Sequence, residues 1–356
     1  MSANTLFSDV NELHLAYLLN GNSWGGNLGT AAKTQYENRI AELDKTTKGL
    51  NEHTRAVGQA EAMAKAVLDY AHKNGYSGQP TEVYWTARSG FSFTDIDDRW
   101  EVVSKDNPAD VLVKFPRSNF SNSISGNYLG ISMKALKKTS GDAPVKNPGV
   151  RKIAKFIGKP EAFFSDIIEA GAEEVHQQLG TAKKKKLLDK TAVKAIAKGS
   201  KAYQTLESIK DKYLSQCRDA LLEGFKSKDD GDVMLYILQD LLDTDRLPKY
   251  IKVTGYGDYN QTNTAKVENP TGQENEKFKA LMDDSKNFAY ETSGGDTGYS
   301  FGVKKGTKRL IRVRFKFESA PFASALKMSI EPWATPIGQE ESRAAKIKTE
   351  TVVEDT

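Results

Sequence analysis

Cysteine and histidine are scarce in this 356-residue chain, which contains one cysteine and four histidines. A single cysteine excludes disulfides within the chain and is typical of a reducing compartment. The histidines (His14, His53, His72 and His176) show none of the spacings that zinc ligands require. No structural zinc site is therefore expected, and Cys217, which lies in a helical pattern, is predicted to be a buried structural thiol.

Long apolar runs and several common catalytic motifs are also missing. No run approaches the ~20 residues of a membrane span, and the N-terminus has no basic segment followed by an apolar one. Gly-x-x-x-x-Gly-Lys-Ser/Thr and Gly-x-Ser-x-Gly are both absent, which argues against a P-loop NTPase and a serine hydrolase. We therefore expect a cytoplasmic protein without a membrane partner.

The overall charge is only mildly positive. The net charge is +4, with 38% hydrophobic and 28% charged residues, which is ordinary for a globular protein. This balance alone does not predict a nucleic-acid partner, so the distribution of charge is more informative than its sum.

Two short strands joined by a polar loop form the most informative stretch, 107–136. The first, Asn-Pro-Ala-Asp-Val-Leu-Val-Lys-Phe, ends before a loop rich in Ser, Asn and Gly, and the second reads Tyr-Leu-Gly-Ile-Ser-Met-Lys-Ala-Leu. Side chains of a strand alternate between faces, so Ser132 and Lys134 share one face. Pairing of the strands would bring Asp110 beside them.

This arrangement resembles the core of the PD-(D/E)XK (restriction-endonuclease-like) nuclease superfamily. The matching residues are Pro108, Asp110, Ser132, Met133 and Lys134. Ala109 separates the proline from the aspartate, and Ser132 stands where the family more often has a carboxylate. The resemblance covers about 30 contiguous residues and the order of the surrounding elements. It implies an α/β (α+β) fold with a mixed central sheet and an α-β-β-β-α-β core.

The resemblance also implies a chemistry, namely metal-dependent hydrolysis of DNA phosphodiester bonds. Mg²⁺ (or Mn²⁺) would be held by Asp110 and a second carboxylate, for which Glu12, Glu61 and Asp98 are the candidates. Glu12 is favoured because some members supply such a residue from a helix before the sheet. Lys134 would orient the attacking water or stabilise developing charge, and Ser132 would hydrogen-bond a metal-bound water.

Each of these residues also has a purely structural explanation. Glu12 in a first helical turn would favour the helix dipole. Asp110 at a strand start would accept hydrogen bonds from turn amides, and Lys134 would be an exposed sheet residue. The nuclease interpretation depends on all three meeting at one place.

Two cationic stretches are candidate nucleic-acid surfaces. Lys186, Lys190, Lys194 and Lys201 recur at spacings of four, four and seven, which would place them on one helix face able to contact phosphates. A solvated helix surface is the alternative. In 309–317, Arg312, Arg314 and Lys316 alternate with apolar residues, so one strand face is cationic. The alternative there is an edge strand protected by charge.

The order of patterns divides the chain into four parts. These are N-terminal helices with the nuclease-like core (1–147), a large Lys-rich helical insertion (148–247), a β-rich segment completing or flanking the sheet (248–335), and a polar tail expected to be disordered (336–356). The predicted helices are 8–20, 30–73 with breaks at Gly49 and Gly58, 151–157, 160–179, 183–198, 202–225, 231–242 and 273–282. The predicted strands are 82–87, 99–103, 107–115, 128–136, 249–257, 299–304, 309–317 and 320–330.

The sequence thus predicts a Mg²⁺-dependent deoxyribonuclease whose helical insertion embraces DNA. A composition rich in Asn, Lys and Gly resembles phage-encoded nucleases, which would act in the host cytoplasm, and a homo-oligomer is compatible with the sequence. The alternative from another class is a non-catalytic nucleic-acid-binding or virion-associated protein. A third is an assembly protein without a nucleic-acid role.

Overall fold

The computed structural model of the chain describes residues 3–46, 49–88, 90–100, 107–123, 125–138, 149–238, 247–269, 282, 287–292 and 299–332. The predicted helix at 273–282 and the predicted tail at 336–356 therefore lie outside the described residues, apart from Met282. Within the described residues, no helix is long and apolar enough to cross a membrane.

Helices and strands follow one another in three stretches of chain. The first contains α1 (Ala3–Leu19), α2 (Gly29–Asp44), α3 (Gly49–Lys73), β1 (Tyr76–Ser77), β2 (Glu82–Trp85), a 3₁₀ turn (Phe93–Asp95), β3 (Val111–Lys114), β4 (Arg117–Ser118) and β5 (Tyr128–Leu136). The second contains α4 (Val150–Phe156), α5 (Phe163–Leu179), β6 (Lys183–Lys184), β7 (Leu187–Leu188), α6 (Lys190–Lys194), α7 (Lys201–Lys226) and α8 (Asp230–Tyr236). The third contains β8 (Tyr250–Tyr256), β9 (Thr264–Glu268), β10 (Phe288–Thr292), β11 (Ser300–Lys305), β12 (Lys308–Phe317) and β13 (Leu326–Pro332).

The chain forms two compact units, each made of two segments. Unit 1 comprises Met1–Ala143 and Asp243–Asn275, and unit 2 comprises Pro144–Leu242 and Glu276–Thr356. This division differs from the four-part expectation, because the segment 248–335 is shared between the units. Its strands β8 and β9 complete the sheet of unit 1, whereas β10 to β13 build a separate sheet in unit 2.

A mixed five-stranded sheet is the centre of unit 1. Its order is β2-β3-β5-β8-β9, in which only the β5–β8 pair is parallel. The predicted α/β fold with a mixed central sheet is thus confirmed. In unit 1, α3, β2, β3 and β5 follow one another along the chain, whereas the described helices between β5 and β8 belong to unit 2. The expected α-β-β-β-α-β order therefore stays a prediction at its fifth element.

Alternation along the strands gives this sheet one apolar face covered by helices. Val111, Ile131, Met133 and Val253 pack with residues of α1 and α3, among them Met63. Helix α3 can lie close to the sheet because Gly255 has no side chain, and an added Cβ there would approach the Met63 methyl group within 3.3 Å. Ser132 and Lys134 point to the opposite face, as the strand periodicity predicts.

Unit 2 has a four-stranded antiparallel sheet of order β10-β11-β12-β13. Ile311, Val313 and Phe315 of β12 are buried in one core with residues of α5 and α7, such as Phe164 and Leu221. Strand β12 lies between β11 and β13, so the interpretation of an edge strand protected by charge was wrong.

Two local predictions were wrong, and a third is only partly covered by the described residues. The lysine-rich segment 183–198 is not a single helix: it contains the β6–β7 hairpin, with Lys185 at a φ of +62°, followed by the short helix α6. Gly58 does not interrupt the helix, because it lies inside α3. Of the predicted strand 99–103, Arg99 lies in a turn and Trp100 is not in a strand, and residues 101–103 lie outside the described residues.

Candidate active site

Hydrogen bonds on both sides fix the backbone of Asp110 between β2 and β5. Its N–H donates to the Ile131 carbonyl at 2.8 Å, and its carbonyl accepts from the Thr86 N–H at 3.1 Å. The preceding turn is held by Asn107, whose side-chain oxygen accepts from the Ala109 N–H at 2.9 Å. Asp110 therefore occupies the position directly before β3, where the sequence predicted it.

Asp110 and Lys134 meet at the backbone of Met133. The Asp110 Oδ2 accepts from the Met133 N–H at 2.6 Å, and the Lys134 Nζ donates to the Met133 carbonyl at 2.9 Å. The last residue of β5 that pairs with β3 is Ile131, and β5 continues beyond it. The Met133 backbone therefore lies past the end of the paired region. The acid and the amine predicted from the motif are thus brought together.

Ser132 lies between them on the same face as Lys134. Its hydroxyl is 3.4 Å from the Lys134 Nζ, and the residue is 2% exposed. A hydroxyl carries no net charge, so its dipole attracts a cation more weakly than a carboxylate does. The role of Ser132 in the site stays a prediction.

Glu12 reaches the same site from α1. The Trp85 indole N–H donates to its Oε2 at 3.1 Å, which orients the carboxylate. The pKa of Glu12 is raised well above its usual value, first by burial and then by the nearby Asp110 carboxylate, while the Lys134 ammonium opposes the shift. Glu12, Asp110 and Lys134 are therefore close enough to influence one another electrostatically, as the resemblance implied.

Burial also raises the pKa of Asp110. The Lys134 charge and the hydrogen bond from the Met133 N–H work in the opposite direction and favour the ionised carboxylate. Glu12, Asp110 and Lys134 are each partly buried residues. Two carboxylates in a poorly hydrated environment repel each other, and a bound cation would relieve that repulsion.

The other two candidate carboxylates do not belong to this site. Glu61 and Asp98 are exposed, and the charges that shift the pKa of Glu12 come from Asp110, Asp9 and Lys134. Among the described residues there is no group of three or more His, Cys, Asp or Glu side chains that could hold a metal ion. The acidic component of the site is therefore the pair Glu12 and Asp110.

Sequence reasoning missed Trp85, which orients Glu12, and the buried Lys252 on the neighbouring strand β8. Trp85 fixes Glu12, yet a Trp in a strand gives no sign of that role. Lys252 of β8 is the register partner of Ser132, is only 4% exposed, and lies 3.4 Å from the Glu268 carboxylate. The signal in this case was a lysine inside the otherwise apolar Tyr-Ile-Lys-Val run.

The predicted lysine face of 186–201 is not built as expected. Lys186 is in the β6–β7 turn, Lys190 and Lys194 begin and end α6, and Lys201 begins α7. Four lysines from three elements do not form the single helix face that the spacing indicated. Lys186 forms an ion pair with Glu169 at 2.9 Å. Nucleic-acid binding by these lysines stays a prediction.

The cationic face of β12 does form. Arg312, Arg314 and Lys316 are half-buried and alternate with the buried apolar residues of the same strand. Lys316 has Lys327 of β13 as its register partner, and Lys327 forms an ion pair with Glu318 at 2.8 Å. Binding of nucleic acid by this face also stays a prediction.

The single thiol behaves as predicted. Cys217 is fully buried in α7, and burial raises its pKa to about 12. A thiol in this state is not a nucleophile.

No protein-family model and no curated protein matches the chain. A solved structure, restriction endonuclease MspI in complex with its cognate DNA, aligns over 84% of this chain and 88% of that one, with 12% identity and a TM-score of 0.29. A likeness of this size shows neither a family nor an activity, so the functional argument depends on the geometry of Glu12, Asp110 and Lys134.

Proposed function

We propose that the protein is a metal-dependent nuclease that hydrolyses DNA phosphodiester bonds at Glu12, Asp110 and Lys134. The observation that carries this proposal is the meeting of an acid and an amine at Met133, with a second acid beside them. Phosphodiester hydrolysis needs an activated water, neutralisation of phosphate charge and help for the leaving oxygen. Two carboxylates and one ammonium can supply these needs together.

The residues present fit a Mg²⁺ or Mn²⁺ ion. Magnesium is usually bound by one or two carboxylates, with waters and substrate phosphate completing its ligands. Glu12 and Asp110 supply two carboxylates whose pKa values burial has raised, so a divalent cation would stabilise their ionised forms. When bound, such an ion lowers the pKa of a coordinated water and neutralises charge on the phosphate.

The side chains of this chain have distinct tasks in the proposed reaction. Lys134 holds a positive charge next to the acids, where it can orient the attacking water or stabilise negative charge that develops on the phosphate. The Trp85 N–H keeps Glu12 directed to the site, and the Met133 N–H does the same for Asp110. Ser132 limits the freedom of the Lys134 side chain.

One observation favours the non-catalytic alternative. Ser132 occupies the position where a third carboxylate is expected, which leaves the site with two. A protein that binds nucleic acid without cutting it would tolerate that loss. The two functions are separated by asking whether cleavage occurs and whether it depends on Lys134.

The test uses purified full-length protein, supercoiled plasmid and MgCl₂. We expect nicking or degradation that EDTA stops, and a Lys134→Ala variant about 10²- to 10³-fold slower, because preorganised charges contribute about that much. DNA retention by this variant should stay close to wild type. Retention without cleavage by the wild type would instead support the non-catalytic binding protein.

A second measurement detects the metal without relying on catalysis. Excess MgCl₂ should raise the thermal unfolding midpoint of the wild type, because a ligand that binds only the folded state stabilises it. Asp110→Asn should abolish the increase. Asparagine can still accept from the Met133 N–H, so this variant should remain folded. Equal increases in both proteins would contradict a metal bound by Asp110.

A further inference from the structure

A small cavity lies against the indole that holds Glu12. Its volume is about 160 Å³, and its apolar lining consists of the buried Leu28, Ala32 and Trp85 and the exposed Ala31. The same Trp85 ring donates to Glu12 through its N–H, so the cavity and the candidate active site share one side chain. Whatever occupies the cavity therefore contacts the side chain that orients Glu12.

The rim of the cavity carries three polar side chains, Asn27, Gln35 and Arg88. Amide and guanidinium groups of these kinds recognise the edges of nucleobases, with Arg pairing to guanine and Asn or Gln to adenine. A lining that contains apolar side chains and an indole suits the flat face of a base, since bases stack on aromatic side chains. The lining thus combines a stacking surface with groups that bind base edges.

The three polar side chains of the lining differ in their partners, and Asn27 donates to the Glu82 Oε2 at 3.5 Å. Arg88 is exposed, and its guanidinium lies 5.5 Å from the Phe91 ring centre; no acidic partner for Arg88 is found among the described residues. Gln35 is fixed by Arg39, whose Nε and Nη2 approach the amide oxygen at 2.9 and 2.6 Å in the orientation that satisfies both groups. Arg39 is itself held by Asp9 at 2.8 Å.

We propose that this cavity binds the base of a nucleotide adjacent to the scissile phosphate, and thereby determines where along the strand the protein cuts. The inference rests on the proposed nuclease function, because it places a base next to a phosphate at Glu12 and Asp110. Trp85 connects binding of the base with the candidate active site, because its ring faces the base and its N–H donates to the Glu12 carboxylate. Arg88 and Asn27 read the base edge.

The first experiment detects the base without any cleavage. Lys134→Ala protein is bound to a DNA carrying 5-iododeoxyuridine at successive positions and irradiated, and the crosslinked tryptic peptide is sequenced. We expect one position to crosslink to Trp85, in the peptide 74–88 that ends at Arg88. Crosslinks that map elsewhere at every position would overturn the inference.

The second experiment fills the cavity. Ala31→Trp places a large ring in it from an exposed position of α2, whereas Ala41→Trp makes the same change at an exposed position of that helix outside the cavity lining. We expect Ala31→Trp to weaken DNA binding roughly tenfold, as the loss of one stacked base does, and to change the distribution of cut positions. Ala41→Trp should do neither, and both variants should unfold at similar temperatures.

The outcomes separate this inference from the proposed function. Normal cleavage with Ala31→Trp and Ala41→Trp indistinguishable in affinity and cut positions would refute the cavity proposal and leave the nuclease standing. A crosslink to Trp85 in a protein that binds but never cuts would support the base site and refute the nuclease. A wild-type protein that does not retain DNA at all would refute both.

Discussion

The ionised side chain of Glu12 lowers the stability of the folded protein, although Glu12 is central to the candidate site. Burial and the Asp110 charge raise its pKa, so the folded protein binds this proton more tightly than the unfolded chain does. Below the ordinary carboxyl pKa, the protonated form contributes its full share to the stability of the fold. This contribution is lost as the pH rises through the raised pKa of Glu12 in the folded protein. Functional sites commonly carry such a cost in stability.

Replacing Glu12 by glutamine should therefore stabilise the folded protein at neutral pH. Glutamine keeps an oxygen that can accept from Trp85, but it has no charge to bury. We expect Glu12→Gln to unfold at a higher temperature than the wild type at pH 7 in EDTA, and the difference to disappear near pH 4. Thermal unfolding followed by circular dichroism across this range measures it.

The matched control is Glu61→Gln, because Glu61 is exposed on α3 and takes no part in the site. A surface substitution of this kind usually changes stability by less than about 0.5 kcal/mol. A stability gain in Glu12→Gln that is the same at every pH would contradict the explanation by burial of charge.

The sequence could predict the site residues that belong to one strand pair. Alternation along β5 placed Ser132 and Lys134 on one face, and the turn before β3 placed Asp110 opposite them. Glu12 was favoured over Glu61 and Asp98 only through the resemblance, because the residues themselves do not show how α1 packs on the sheet. Trp85 and Lys252 were missed for the same reason, since their roles come from neighbours distant in sequence.

Among the elements, strands were predicted better than the lysine-rich segment. The pattern of apolar residues at period two identified β5, β8 and β12, because each has a buried face. In 183–198 the abundance of lysine and alanine favoured a helix on propensity alone. The chain instead forms a hairpin, and Asp189 then caps α6 by accepting from the Thr191 and Ala192 N–H groups.

Close packing between α7 and the end of α4 depends on a glycine. A Cβ at Gly224 would collide with the Cβ and Cγ2 of Ile157, which lie near the backbone and cannot rotate away. Gly224→Ala should therefore destabilise unit 2 by about 1–3 kcal/mol, although alanine is intrinsically the better helix former. Denaturant unfolding measures this change.

Gly231→Ala is the control for that experiment. Gly231 is exposed in the first turn of α8, where an added Cβ would come no closer than 3.3 Å to the Asp229 Oδ1. We expect this change to be neutral or stabilising by up to about 1 kcal/mol. If Gly224→Ala behaves in the same way, the contact with Ile157 does not limit the packing of α7.

At the scale of the whole molecule, the division into two units could not be predicted from the sequence. Composition marked a boundary after β5 and another before β8, but both units consist of two segments. Patterns along a chain show that a segment is a strand, not which sheet it joins. Strands β8 and β11 therefore appeared to belong together, whereas they lie in different sheets.

The two cationic stretches make different contributions to DNA affinity if only one contacts phosphates. Changing Arg312, Arg314 and Lys316 to glutamine should lower the slope of log affinity against log salt by about one for each lost contact. The same measurement on a variant with Lys186, Lys190, Lys194 and Lys201 changed to glutamine tests the other stretch. Filter binding between low and moderate salt gives both slopes.

The control for charge alone replaces three exposed lysines of unit 1, Lys45, Lys65 and Lys73, by glutamine. These changes remove as much positive charge as the β12 variant without touching either stretch. If the control lowers the slope as much as the β12 variant does, the loss reflects net charge, and the β12 face is not a phosphate-binding surface.

The parallel pairing of β5 with β8 has a consequence for how the protein is made. The two strands are adjacent in the sheet, yet the ribosome synthesises 113 residues between Leu136 and Tyr250. Until β8 has been synthesised, the edge of β5 in the nascent α1–β5 portion has no β8 strand to pair with. During that interval the exposed edge is a point where chaperones would be recruited, or where two growing chains would aggregate.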